Sequence, residues 1–407
     1  MAATLAAGQT KITPAFSWKT LPVAFHSSSS ASPFSAAQVA ELSRYAMVTI
    51  EKYQNIAAVA PASTLAAPNY RSPGGLYTCQ NGTDLSRCGC CAEDEIMAAA
   101  RAIKAVNPAV VTIAYLNCQI SYGWYTAARE LAANAAWWLE GNGHDGPAGS
   151  TWKIVALDKP GAADWWQRTA TNLTASGAID GVFADGCMTH EGGSLSKARV
   201  EALYKAKHTM LKGLQPQLPG PVVCGSTGDF PPGVDAVQME GWGLVRRGQT
   251  HFASEEIPAL QKAVRAGVIF QAHGRAVCGQ AKEIPSCCDA PPCNCTTPRP
   301  DYREPAVQTE LAAFLVAMGN TSYFLCGSWE DTFSGGATAS TWLPVYDLPL
   351  GEPLGDAVHD GASGIMRRSF ASGTNATFNT KTETGTVKWA APQPGSDTAL
   401  LRLRREP

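Results

Sequence analysis

Short apolar runs alternate along this chain with longer stretches in which apolar residues recur at helical spacing. Leu21–His26, Ala46–Ile50 and the β-branched run Ala109–Tyr115 read as strands. Ala36–Tyr45, Asp94–Val106 and Ala162–Ala175 read as helices, and the acidic first turn of the second suits the helix dipole. The alternation then repeats: strand Ile179–Asp185, helix Lys197–Leu214, strands Pro221–Cys224 and Val234–Glu240, helix Ile257–Ala266, strand Val268–His273, helix Val307–Gly319 and strand Ser322–Cys326. With the further apolar run Trp152–Leu157 there are nine candidate strands where a closed barrel needs eight. Trp152–Leu157 is the one we read as a loop extension feeding the next unit.

Strands that alternate with helices argue for a parallel sheet, and this many units favour closure over an open sheet. The expected fold is an α/β (β/α)8 TIM barrel over residues 21–360, after an N-terminal extension of residues 1–20. From Gly361 the pattern changes to Thr- and Gly-rich segments with alternating apolar residues, so residues 361–407 read as a small β appendage and tail.

Two strands run straight into an acid. Ile179–Gly186 ends in Asp185 followed by glycine, and Val234–Trp242 carries Glu240, a glycine and a large aromatic. In a barrel of this kind the carboxyl ends of the strands carry the chemistry. Asp-Gly after a strand is also ordinary turn chemistry, but two such acids, after the fourth and sixth strands, suit glycosidic-bond cleavage, in which one carboxyl protonates the leaving oxygen and the other attacks or activates water. Asp185 is the expected nucleophile or base, and Glu240, beside Met239 and Trp242, the acid. Asp180 and Asp235, just before their strands, are read as turn residues without chemistry.

Other strand ends would line the cleft. His26, Tyr115, Asn117, Gln271 and His273 are suited to bonding sugar hydroxyls, although structural hydrogen bonds to the barrel rim are the plainer use of such side chains. Trp242, Trp329 and Trp124 are candidates to stack on sugar faces. Asp158 joins them as a substrate-binding candidate, and Glu330 is a third acid that rivals Glu240. Trp137-Trp138 and Trp165-Trp166 sit in helical pattern and read as packing. No phosphate-binding glycine loop and no Gly-x-Ser-x-Gly elbow is present, and His190-Glu191 lacks the second histidine of a zinc helix, so no cofactor and no metal are expected.

A net charge of −2 with 16% charged residues and no basic cluster argues against nucleic acid as a partner, and no apolar run is long enough for a membrane span. A carbohydrate is the expected partner. Thirteen cysteines, many in the crowded segments Cys79–Cys91 and Cys278–Cys295, lack paired zinc spacing and read as disulfide-stapled loops. With sequons at Asn81, Asn172, Asn294, Asn320 and Asn375 they point to a secreted glycoprotein, although no signal peptide is evident.

The segments Leu157-Asp158 with Trp165-Trp166, Ile179–Gly186, Val237–Glu240, Tyr346–Gly355 and Arg368-Ser369-Phe370 together resemble glycoside-hydrolase families of TIM-barrel type that are known mainly from sequence. The resemblance covers most of Leu21–Trp389 and implies a class of enzyme rather than a substrate. A secreted carbohydrate-binding protein that keeps the scaffold without the activity is the alternative, because fold does not give function.

Overall fold

The computed structural model describes residues 11–29, 32–55, 92–122, 125–139, 153–188, 195–226, 230–242, 245–246, 249–250, 253–274, 303–326 and 342–390. Eight parallel strands close a barrel: β1 (Val23–Ser27), β2 (Met47–Ile50), β3 (Val111–Asn117), β4 (Gly181–Asp185), β5 (Val222–Ser226), β6 (Ala236–Trp242), β7 (Ile269–Gly274) and β8 (Ser322–Cys326). They follow one another around the barrel in chain order, with β8 paired back to β1. The ninth candidate is outside the ring. Lys153–Ile154 pairs instead with Ile120–Ser121 in a small antiparallel ribbon, as its reading as a loop extension required.

Helices α1 (Ala36–Leu42), α2 (Ala92–Val106), α3 (Ala127–Ala133), α4 (Ala162–Ala175), α5 (Lys197–Leu214), α6 (Ala253–Arg265) and α7 (Pro305–Ala317) occupy the crossovers. Ser35 opens α1 with a reciprocal capping box to Gln38, and Ser196 caps α5 through Arg199 N–H. Between β5 and β6 the described residues 230–235 form turns rather than a helix.

Ladder register sorts the side chains. Parallel neighbours share a face, so the pairs Tyr115↔Phe183, Asn117↔Asp185, Gly225↔Gln238, Gln238↔Gln271 and Glu240↔His273 belong to one set. His26 belongs to it too, since its ring bonds Gln238 although β1 and β6 are not neighbours; that contact is made across the barrel interior. The opposite set, with Phe25, Phe270 and Phe324, packs outward under the helices. The two aspartates at strand entrances are structural. Asp180 accepts from Thr112 N–H at 2.8 Å and pairs with Lys104, and Asp235 accepts from Val222 N–H and pairs with Lys11 at 2.6 Å. The residues before β1 also hold this amino-terminal face: Tyr323 donates its hydroxyl proton to Pro14 O, and Phe16 meets the same ring edge-on.

A four-stranded antiparallel sheet follows: β9 (Val358–Asp360), β10 (Ile365–Ser369), β11 (Asn375–Asn379) and β12 (Thr384–Lys388). It starts slightly before the boundary expected at Gly361. It lies on α7: Gly385 N–H donates to Thr309 Oγ1 at 3.1 Å and Val387 N–H to Gln308 Oε1 at 2.7 Å. Arg368 closes the carboxyl end of α7 by donating to Met318 O at 2.5 Å, where a cation complements the helix dipole. Ala376, Phe378 and Val387 belong to the same continuous apolar core as the barrel, so the appendage is part of the packing.

Candidate active site

Asp185 ends β4 with its carboxylate half-buried. Its Oδ2 accepts from the Tyr115 hydroxyl in a short hydrogen bond and from Asn117 Nδ2 at 2.9 Å, and its Oδ1 accepts from Gly186 N–H at 2.8 Å. The turn beyond is fastened as firmly. Gly186 O accepts from the buried Lys207 ammonium at 2.8 Å and from Gln119 Nε2 at 3.1 Å, and Cys187 is disulfide-bonded to Cys224 of β5. Cys118, whose N–H donates to Asp185 O, is a buried free thiol; burial, against the opposing Lys207 charge and with a smaller push from Asp185, drives it up to about 12, so it is inert near neutrality.

A second cluster adjoins the first. Glu51, immediately after β2, accepts from His26 Nε2 at 2.7 Å and from Lys52 Nζ at 2.8 Å, and His26 Nδ1 reaches Gln238 Oε1 at 2.9 Å. All four residues are buried. Burial would raise the Glu51 carboxyl, but Lys52 and His26 outweigh it and hold Glu51 below the usual carboxylate range. Burial would lower Lys52, but Glu51, with Tyr122 and Tyr53, outweighs it and holds the ammonium well above its usual range. The ammonium also lies over the rings of Tyr115 at 4.2 Å and Tyr53 at 4.6 Å. Tyr115 is driven well above the usual phenol range by burial first and by the Asp185 charge second, so it is a standing donor. Its hydroxyl lies 3.3 Å from that of Tyr122.

The residues singled out from the sequence fall into different places. Asp185, Tyr115 and Asn117 form one hydrogen-bonded group, with the latter two engaged on the carboxylate itself. His26 is in the adjoining cluster. Glu240 and His273 are register partners in the inward-facing set, His273 buried and Glu240 half-buried. Gln271 is fully buried deeper in the same set, its Nε2 donating to Met47 Sδ.

Trp242 corrects the expectation of a stacking platform. Gly241 is an extra residue in β6, at φ +82°, and the register shifts there so that Gly274 faces Trp242. The bulge turns Trp242 out of alternation with Glu240 and into the helix layer, where its ring meets Phe270 and Phe314 edge-on and Nε1 donates to Glu310 O. Asp158 is paired with Arg199 of α5. Trp165 and Trp166 pack as expected; Trp166 donates to Asn117 O at 2.9 Å and so braces β3. Trp124, Trp329, Glu330, His190, Glu191 and both cysteine-crowded segments lie outside the described residues.

Glu51, Lys52, Gln238 and Tyr122 were missed. The signal for Glu51 was present, since Met47–Ile50 is an apolar strand that runs straight into it, as β4 runs into Asp185. For Gln238 the signal was weaker, a polar residue at an inward position of a central strand.

Fold and site define a TIM-barrel protein whose strands carry carboxylates at their carboxyl ends. The chain belongs to hypothetical glycosyl hydrolase family 15, whose family model matches residues 104–374, more than half of the chain and including both Asp185 and Glu240. No curated protein sequence matches it at a significant level. Similar solved structures include the glycoside hydrolase domain of PelA from Pseudomonas aeruginosa, 14% identical, with 62% of this chain and 83% of that one covered at a TM-score of 0.38. An α-N-acetylgalactosaminidase from Bifidobacterium bifidum is 14% identical over 91% of this chain and 57% of its own, at a TM-score of 0.47. An α-galactosidase from Geobacillus stearothermophilus is 14% identical over 90% of this chain and 48% of its own, at 0.44. Apart from the PelA domain, then, this chain spans only about half of the length of these structures, and likeness at this level says nothing of substrate.

Proposed function

We propose that this protein is a glycoside hydrolase that cleaves O-glycosidic bonds of an oligo- or polysaccharide with Asp185 and Glu240. The family supports a glycosidase role. The observation that carries the choice of residues is Asp185 itself: a strand-end carboxylate that accepts three hydrogen bonds, in the same inward-facing set as Glu240. Three donors hold the carboxylate in one orientation at the strand end, as a nucleophile or base needs. Glu240 takes the acid role, protonating the leaving oxygen. The carboxyl separation sets the outcome, about 5–5.5 Å for retention and about 6.5–9.5 Å for inversion.

Secretion fits this reading. The Cys187–Cys224 disulfide and the exposed sequon at Asn375 suit an oxidising compartment, and no helix among the described residues is long and apolar enough to cross a membrane.

The test is a screen of para-nitrophenyl glycosides and oligosaccharides, followed by Asp185→Asn and Glu240→Gln. Each variant is expected to lose at least a thousandfold in turnover while melting like the wild type, because truncating a catalytic carboxylate removes transition-state stabilisation rather than packing. Wild-type turnover in both would move the catalytic pair elsewhere, with Glu330 the next residue to test. Sugar binding without cleavage would favour the non-enzymatic carbohydrate-binding alternative.

A further inference from the structure

The two oxygens of Asp185 are held differently. Oδ2 accepts from two side chains, Tyr115 and Asn117, which fill its accessible lone-pair directions. Among the described residues Oδ1 accepts only the neighbouring Gly186 N–H, and the residue of β5 that lies beside it, one past the pair Ala184↔Cys224, is Gly225. A Cβ at position 225 would lie 3.2 Å from Oδ1 and 3.0 Å from the Phe183 ring, so any side chain there would crowd this oxygen.

Tyr115 is itself held on every side. Its ring stacks on Phe183 at 5.7 Å, its backbone carbonyl accepts from Tyr125, and the Lys52 ammonium lies 4.2 Å from its ring centroid. A cation over the ring draws electron density from the phenol and strengthens its O–H as a donor. Lys52 is in turn fixed by Glu51, and Glu51 by His26. The chain of contacts therefore runs from the centre of the barrel to one oxygen of one carboxylate.

We infer that Asp185 reacts through Oδ1, and that Tyr115, with Lys52 seated on its ring, is a positioning residue that immobilises Oδ2 and presents Oδ1 to the substrate. This rests on the glycosidase reading of Asp185. In a retaining path Oδ1 gives an electron pair to the anomeric carbon as the glycosidic C–O bond breaks, and the leaving oxygen keeps that bond's pair and takes the Glu240 proton. Water then attacks the anomeric carbon, its proton passes to Glu240, and the C–Oδ1 pair returns to Asp185. In an inverting path Oδ1 takes the proton of the water whose oxygen bonds the anomeric carbon, while the leaving oxygen again takes the Glu240 proton. In both, Tyr115 keeps its proton.

Tyr115→Phe keeps the ring and removes the hydroxyl, and with it the donor to Oδ2 and the weaker contacts with Asn117 and Tyr122. On the para-nitrophenyl glycoside or oligosaccharide that the wild type cleaves, it is expected to lower kcat ten- to hundredfold with KM within about threefold, as for an interaction tighter in the transition state than in the ground state. Lys52→Met should lower kcat several-fold and Lys52→Arg restore most of it, since arginine keeps a cation on the ring. Gly225→Ala, which crowds Oδ1, should lower kcat/KM at least tenfold. Melting curves identify any variant that fails to fold, and Tyr115→Phe, which leaves Lys52 paired with Glu51, carries the test if Lys52→Met does not fold. Crystal structures of wild type and Tyr115→Phe need no substrate and should show the Asp185 carboxylate rotated or spread over conformers only in the variant. If Asp185→Asn keeps activity, or nothing is cleaved, the glycosidase reading fails. If Asp185→Asn is dead but Tyr115→Phe keeps the wild-type kcat, changes KM alone or leaves Asp185 where it was, the positioning role is overturned while the glycosidase reading stands.

Discussion

Asn117 stands directly across the β3–β4 ladder from Asp185, and its carboxamide is engaged at both ends. Nδ2 donates to Asp185 Oδ2 at 2.9 Å, while Oδ1 accepts the backbone N–H groups of Gln119 at 2.7 Å and Ile120 at 2.8 Å. The turn after β3 thereby fixes which end of the amide meets the carboxylate. Asn117→Asp replaces the donor with a second carboxylate beside Oδ2. Like charges at hydrogen-bond distance disfavour double ionisation, so the acid limb of the pH–rate profile should move to higher pH and turnover at pH 7 should fall at least tenfold. An unchanged profile would mean that Asn117 serves only the turn.

The Glu51–Lys52 pair makes stability depend on pH at both ends. Glu51 is held below its ordinary 4.5, so its contribution is complete above that value and is lost as pH falls through the lower folded-state value. Lys52 is held above its ordinary 10.5, so its contribution is complete below that value and is lost as pH rises through the higher folded-state value. Glu51→Gln leaves the Lys52 ammonium buried without this carboxylate, which should cost about 3–5 kcal/mol in denaturant melts near neutrality. The difference from wild type should shrink when both are unfolded at strongly acidic pH. A flat difference down to low pH would show that the pair contributes little.

Trp242 offers a test of packing against recognition. Its ring is fully buried under α7, so Trp242→Ala should destabilise by about 3–5 kcal/mol. The protein that remains folded should keep its KM for the substrate. A raised KM with an unchanged melting temperature would return this tryptophan to the cleft.

Strand count, helix positions and the place of Asp185 at a strand end were legible because each rests on local pattern: apolar runs, their spacing, and an acid at a run's end. Trp242 was not, because Glu-Gly-Trp continues an alternation that the backbone breaks, and a bulge at Gly241 is set by pairing with β7 rather than by its own sequence. Glu51 lies one residue beyond the apolar run of β2, and no glycine follows to mark it as Gly186 marks Asp185. The roles of Tyr115 and Asn117 depended on which strand lies beside β3. A polar strand end looks the same in sequence whether it meets a sugar or a neighbouring carboxylate.

The Cys187–Cys224 bridge ties the turn after Asp185 to β5 across 37 residues of chain. A loop of that size corresponds to about 2–4 kcal/mol from restriction of the unfolded chain. Dithiothreitol should therefore lower the melting temperature, and Cys224→Ser should reproduce the shift and abolish the reductant's effect at this site. Mass spectrometry of unreduced peptides should find this bridge and oxidised cysteines in Cys79–Cys91 and Cys278–Cys295. Full alkylation of those segments without reductant would count against an oxidising compartment.

The sheet β9–β12 changes how the polypeptide must reach its native state. Helix α7 is buried from Glu310 to its end, with the barrel on one side and β11 and β12 on the other, and its run Leu311–Ala317 is apolar all round. The cover for that second side is encoded after all eight barrel strands. During synthesis all eight barrel strands can have emerged while α7 still presents bare apolar surface, a natural station for a chaperone and a point at which a prematurely ended chain would aggregate. A nonsense mutation downstream of every residue of the carboxylate cluster could thus abolish the protein without touching its chemistry.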